Sequence, residues 1–232
     1  MNEVENLTKL RSRANTKFGS ISLNLLHERA IWVPTLNALL IADLHFGKAA
    51  HFRKSGVPIP ENIHYADLHR LSMLHQEFRP THTYFLGDLF HSDWNEQWEF
   101  LNDFLAQLKG TEFHLIKGNH DVLGPEFYRQ SILTIHDQPL ILSELVLSHE
   151  PLKSVPPGML NLCGHIHPGV RLAGKAKQSV MLPCFFQTPS HLILPAFGNF
   201  TGLAQVRRNE RDSVWAIANE KIIPVLSGTS IG

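Results

Sequence analysis

The chain has 232 residues, 43% of them hydrophobic, with 21 Lys+Arg against 21 Asp+Glu. This composition excludes intrinsic disorder and suffices for one sizeable core, and 14 prolines and 15 glycines without a repeat exclude collagen-like or low-complexity sequence. No apolar run nears the ~20 residues of a membrane span, the first twenty residues are polar, and two cysteines cannot build a disulfide framework, so the expected setting is the cytoplasm, without signal peptide or membrane.

In chain order, residues 1–17 are expected to be a polar, flexible N-terminus, followed by a single domain over 18–232. Apolar β-rich runs begin with SISLNLL (20–26), AIWVP (30–34) and ALLIAD (38–43), the last continuous enough for a buried strand. Residues 60–78 space Ile63, Leu68, Leu71, Leu74 and Phe78 at helical intervals, with Pro60 suited to a first turn. TYFLG (83–87) reads as a strand, 95–110 as an amphipathic helix ended by Gly110, and EFHLIKG (112–118) as the next strand. This alternation predicts βαβ units with a largely parallel sheet. Beyond residue 130, short strand-like runs follow at 133–136, 140–143, 145–149, 159–163, 179–182, 191–197, 213–217 and 221–226, separated by Pro, Gly or polar clusters. The fold expected from these halves is α/β, with two packed mixed sheets flanked by helices in a four-layer α/β/β/α sandwich.

Fifteen histidines direct attention to metal ligands and acid–base groups. Charge is also uneven: +4 over residues 1–60, −9 over 61–150 and +5 over 151–232. That balance disfavours tight tracking of a polyanion but allows a local basic rim.

Five segments place a metal-ligating side chain where an apolar run ends: Asp43 with His45, Gly87-Asp88, Gly118-Asn119-His120-Asp121, Ser148-His149, and Gly164-His165 with His167. Strand ends are where open α/β sheets hold their ligands. The two-residue spacing of Asp43/His45 and of His165/His167 turns each pair to one side of an extended segment. Glycine before Asp88, Asn119 and His165 allows close backbone approach. Any one segment by itself reads as structural; the ordered set is specific. Imidazole, carboxylate and amide without thiolate suit manganese, with iron or zinc as alternatives, and exclude calcium. Two such ions about 3.5–4 Å apart can clamp a bridging water and supply hydroxide for in-line attack on phosphorus.

The order D-x-H, GD, GNHD, H, GHxH over residues 43–167 resembles the calcineurin-like metallophosphoesterase superfamily. The resemblance implies Asp43, His45, Asp88 and His167 as ligands of one metal. It implies Asp88, Asn119, His149 and His165 as ligands of the other, with Asp88 bridging. It assigns His120 to substrate as general acid or transition-state donor, with Asp121 orienting it. Three segments, DLHFGK (43–48), GDLFHS (87–92) and PAFGNFTG (195–202), further resemble the bacterial DNA ligase-associated phosphoesterases. That branch implies a metal-dependent phosphodiesterase or endonuclease in DNA repair, working beside a DNA ligase and a helicase.

His91, Arg53 and Lys54 are candidate substrate-binding residues, and Lys48, Lys153, Arg171 and Lys175 are further basic residues near the motifs. Ser92 and Asp93 stand where many superfamily members carry Arg, which argues against the Ser/Thr protein phosphatase branch. Phe197, Gly198 and Phe200 are expected to form a structural turn rather than a substrate floor. The leading expectation is a two-metal phosphodiesterase using a metal-bridging hydroxide, acting as a nuclease. The alternatives are a small-molecule nucleotide phosphodiesterase or phosphatase, and a catalytically silent metal-bound interaction module.

Overall fold

A computed structural model describes residues 13–48, 62–92, 94–173, 178–199 and 201–226. Strands β1 (Arg13–Phe18), β2 (Ile21–Leu26), β3 (Ala30–Val33) and β4 (Ala38–Ile41) form an antiparallel meander. From β4 onward the chain adds parallel strands β5 (His82–Leu86), β6 (Glu112–Ile116) and β7 (Leu133–His136), completing a seven-stranded sheet in sequence order. The expected parallel sheet is therefore confined to β4–β7. The crossovers carry helices α1 (Asn62–Phe78), α2 (Glu96–Gln107) and α3 (Pro125–Gln130). Asn95 caps α2 by accepting from the Gln97 backbone N–H at 2.9 Å, satisfying one of the amides a helix start leaves open.

The second sheet contains β8 (Leu140–Leu142), β9 (Leu145–Leu147), β10 (Leu160–Cys163), β11 (Pro168–Ala173), β12 (Ser179–Gln187), β13 (His191–Ile193), β14 (Ala204–Gln205), β15 (Ser213–Ala218) and β16 (Lys221–Pro224). At its centre β10 runs parallel to β9 and β13. The outer pairs β8/β9, β11/β12, β12/β15 and β15/β16 are antiparallel.

Strand alternation sorts the apolar residues into layers. Leu40, Tyr84, Leu86 and Ile116 of the first sheet meet Leu145, Leu147, Leu162 and Phe185 of the second in the inter-sheet core. The opposite face of the first sheet presents Leu39, Ile41, Phe85 and Leu115 to Leu71 and Leu74 of α1 and to Trp98 and Leu101 of α2. Every residue of β4 is buried, as for a strand covered on both faces. The two packed mixed sheets expected from the sequence are thus present, with α1, α2 and α3 all on the first. Among the described residues the far face of the second sheet carries no helix. Val170, Cys184, Val214 and Ala216 pack there with Val206 and Val225. Among the described residues no helix is long and apolar enough to cross a membrane.

Two expectations change. Arg13–Phe18 is a strand rather than part of a flexible N-terminus, held in a hairpin with β2 and by Thr16 Oγ1 to Gln187 Oε1 at 3.2 Å. It carries little apolar signal because it is an edge strand, where polar residues guard against pairing with other chains. Also not expected are β11, whose Pro168 and Gly169 stand at its first two positions, and the two-residue β14 that pairs with those positions. Residues 1–12 and Phe200 lie outside the described residues.

Candidate metal centre

All five motifs emerge at the C-terminal ends of parallel strands. β4 leads to Asp43 and His45, β5 to Asp88, β6 to Asn119 and His120, β9 to His149, and β10 to His165 and His167. The first two loops continue to pair after their strands end. Asp43 N–H donates to Gly87 O at 3.2 Å, His45 N–H to Asp88 O at 2.8 Å and Phe46 N–H to Leu89 O at 2.9 Å.

Asp43, His45, Asp88, His165 and His167 all have positive φ, between 49° and 66°. Non-glycine residues reach this left-handed region at a steric penalty, and such strain persists where the surrounding structure over-determines it. Here the left-handed turn aims each side chain back across the strand ends. Gly87, at φ 77°, has no room for a side chain: an added Cβ would lie 2.2 Å from His149 Nδ1. At Gly118 and Gly164 the reason is close approach alone, since a Cβ would meet Asp88 Oδ1 at 2.3 Å or Asp43 Oδ2 at 2.4 Å.

The side chains converge in two groups that share Asp88. On one side, His45 Nε2 lies 3.3 Å from His167 Nε2 and 3.7 Å from Asp88 Oδ2, and His167 Nε2 lies 3.4 Å from Asp43 Oδ1. On the other, His149 Nε2 lies 3.4 Å from Asp88 Oδ1, 3.0 Å from Asn119 Oδ1 and 3.0 Å from His165 Nδ1. Lone pairs facing one another at such distances repel unless a proton or cation sits among them. The spacing matches ligand atoms around an ion with bonds of about 2.0–2.2 Å. Asp43, His45 and His167 form one possible ligand group, and Asp43, Asp88 and His149 another.

The surroundings fix which nitrogen faces each group. His149 donates its Nδ1–H to Leu86 O at 3.0 Å, leaving Nε2 with a lone pair toward the cluster. With His45 Nε2 turned to the cluster, its Nδ1–H donates to His91 Nδ1 at 3.1 Å. Burial, reinforced by Lys48 and the neighbouring imidazoles, pushes His45 down to about 2, so its ring is neutral and fit to ligate. Burial also lowers the Lys48 ammonium, opposed by Asp88 and Asp43, which places its charge within reach of both carboxylates. The backbone N–H of His165 donates to Asp43 Oδ2 at 2.9 Å, and that of His120 to Asp88 Oδ1 at 2.9 Å. This donor set of five imidazole or amide ligands and two carboxylates fits two borderline divalent ions.

His120 is exposed at the open side, its ring 4.1 Å from that of His91 and 5.8 Å from that of His45. Asp121 departs from expectation. Its carboxylate is buried and accepts four backbone N–H groups, from Asp88 and Gly118 at 2.8 Å, Leu89 at 3.0 Å and Phe90 at 3.2 Å. It clamps the Asp88 loop to the Asn119 loop rather than orienting the His120 ring. Desolvation outweighs these donors and raises its carboxyl to about 6. Arg53, Lys54 and Lys175 lie outside the described residues; Arg171 is bonded to Ser179 Oγ and Lys153 is exposed.

Two supporting elements escaped the sequence reading. Asn161, fully buried in β10, donates to Val146 O and Ser148 Oγ and accepts from Leu152 N–H, bracing the segment that carries His149. Behind Asp43, Asp67 of α1 binds Arg70 at 2.8 Å and accepts from Asn199 Nδ2 at 2.8 Å and its backbone N–H at 3.1 Å. Arg70 also donates to Phe197 O and lies 4.2 Å over the Phe197 ring. Phe197 and Gly198 in turn donate to the carbonyls of Ala42 and Asp43, and Phe197 is fully buried. The PAFG segment is a structural turn under the first motif, as expected. Polar side chains in ordinary helical and strand positions carried no signal of these long-range roles.

A two-sheet α/β fold with candidate ligands gathered at parallel strand ends is an arrangement suited to a metal-dependent hydrolase. The calcineurin-like phosphoesterase family model matches residues 36–172, which include every candidate ligand, and the chain belongs to that family. It is accordingly a metal-dependent phosphoric ester hydrolase, in a family that uses divalent metals. Over nearly the whole chain it is similar to the crystal structure of Pseudomonas putida nuclease MPE. That match has 26% identity and a TM-score of 0.73, and it covers 92% of this chain and 100% of that one. It also matches Yfce, a phosphoesterase from E. coli, at 16% identity and a TM-score of 0.42, covering 81% of this chain and 97% of that one. No curated protein matches the sequence significantly.

Proposed function

We propose that the chain is a two-metal phosphodiesterase that cleaves nucleic acid. The observation that carries this reading is Asp88, whose two oxygens face two separate ligand groups, one with His45 and the other with His149. Asp43, His45, Asp88 and His167 would hold one ion, and Asp88, Asn119, His149 and His165 the other. Two divalent ions there, manganese first and iron or zinc as alternatives, would supply Lewis acidity at the scissile phosphate and lower the pKa of a bridging water to give the attacking hydroxide. The rest of the chemistry belongs to the chain. His120, on the open side of the groups, donates a proton to the leaving oxygen. His91 buttresses His45 and His120 and faces the substrate. Lys48 adds positive charge beside the carboxylates.

Support for nucleic acid comes from the full-length likeness to a nuclease at 26% identity. By the branch resemblance, the enzyme would work in DNA repair beside a DNA ligase and a helicase. Two buried, unbridged cysteines support a cytoplasmic setting. A smaller nucleotide phosphodiester is the second reading, favoured by Glu96, Glu99 and Asp103, which are exposed on α2 and repel an extended polyanion.

Metal-reconstituted protein should cleave a chromogenic phosphodiester and DNA faster than a phosphomonoester. His120→Ala should lower kcat by about 10²–10⁴ with metals still bound, and Asp88→Ala should abolish activity and metal pairing together. A monoester preference, or activity surviving Asp88→Ala, would overturn the reading. Two bound metals without turnover on any of these substrates would identify an interaction module instead.

A further inference from the structure

A second histidine cluster lies at the opposite end of the same sheet. His82 opens β5, whereas Asp88 follows its end, six residues on and roughly 20 Å along an extended strand. In the parallel register His82 stands opposite Glu112, and His114 opposite Tyr84. Period two therefore puts His82, Glu112 and His114 on the face that, farther along, enters the inter-sheet core as Leu86 and Ile116. At the strand starts these side chains remain open to solvent, with Glu112 73% exposed, His82 36% and His114 13%.

Their ligand atoms form a triangle. His82 Nδ1 is 3.3 Å from His114 Nε2 and 3.5 Å from Glu112 Oε2, and His114 Nε2 is 4.0 Å from that oxygen. Tetrahedral zinc with bonds of about 2.0 Å spaces its ligand atoms about 3.3 Å apart, so modest inward movement of the exposed Glu112 closes the set. The ring of His114 is held for this purpose from two directions. Tyr84 stacks on it at 4.5 Å and 15°, and His136 Nε2 meets its Nδ1 at 3.3 Å, so that Nε2 is the nitrogen turned toward His82 and Glu112.

We propose that His82, Glu112 and His114 form a further divalent-metal site, separate from the phosphoesterase centre and selective for zinc, with His136 as a positioning residue. Two imidazoles and one carboxylate suit Zn²⁺ over the oxygen-preferring Mg²⁺ and Ca²⁺, and three ligands leave a fourth position for water. An ion there ties the start of β5 to the start of β6.

The test measures zinc per chain on manganese-loaded protein after equilibrium dialysis against Zn²⁺. The wild type should hold one zinc more than Glu112→Gln or His82→Asn, both at exposed side chains and checked for native circular dichroism. His136→Ala should weaken that zinc about 10–100-fold, as loss of an orienting partner does, with His136→Gln intermediate. Zinc should raise the Tm of the wild type further than that of Glu112→Gln, while manganese-supported activity, measured before zinc is added, stays equal among them. Equal zinc content in wild type, Glu112→Gln and His82→Asn would overturn the proposal and reduce the cluster to an imidazole hydrogen-bond ladder.

Discussion

Asp121 illustrates how much one buried carboxylate can organise. Four backbone amides from two loops point at it, and each hydrogen bond to a charged acceptor is worth roughly 1.5–3 kcal/mol. Asp121→Asn turns an NH₂ group toward amide donors, so we expect a loss of about 2–3 kcal/mol in denaturant unfolding and weaker metal binding. If Asp121 instead served only to orient His120, kcat would fall while stability and metal affinity held. His75 offers a pH test. It is buried in α1, donating to Leu71 O at 2.9 Å and accepting from Thr83 Oγ1 at 3.0 Å, and burial lowers its pKa. A histidine depressed in the folded state binds its proton more readily when unfolded, so its contribution to stability is complete above about 6.5 and declines as pH falls below that. Unfolding midpoints compared at pH 7.5 and 5.5 should therefore drop more for the wild type than for His75→Gln.

The elements divide by how openly they displayed themselves. The runs 38–43 and 83–87 announced strands because 38–41 and 83–86 are covered on both faces, and the ligands stood out because reactive residues interrupted apolar runs at their ends. β1 was hidden because an edge strand is polar on the exposed side. The brace beneath the first motif was hidden for another reason: Asp67 and Asn199 are 132 residues apart and only the folded chain joins them. This brace makes its own prediction. Asp67 is buried and Arg70 mostly so, and burial raises the carboxyl while drawing the guanidinium down to about 10. Removing one partner leaves an uncompensated charge, so Asp67→Leu or Arg70→Met alone should cost about 3–5 kcal/mol. The double variant should cost less than either single change, a coupling that a double-mutant cycle in urea would reveal or refute.

At the scale of the whole molecule, Asp43, His45, Asp88 and Asn119 follow strands of the first sheet, and His149, His165 and His167 follow strands of the second. Metal bound there would staple the sheets across their shared core. At a free metal concentration a thousandfold above Kd, linkage gives about 4.1 kcal/mol. For a chain of this size that corresponds to a Tm roughly 8–16 °C higher than in chelator. A Tm indifferent to chelation would mean that the two ligand groups do not act as a cross-sheet clamp. The left-handed turns at Asp43 and His165, 122 residues apart and joined by the hydrogen bond from His165 N–H to Asp43, carry the staple's last consequence. A chain growing from its N-terminus exposes half a ligand set long before the other half exists, so stable loading has to await the second sheet. A metal held by both halves would then bind stably only once the strands through β10 have formed, and a chain truncated before His167 would not retain it.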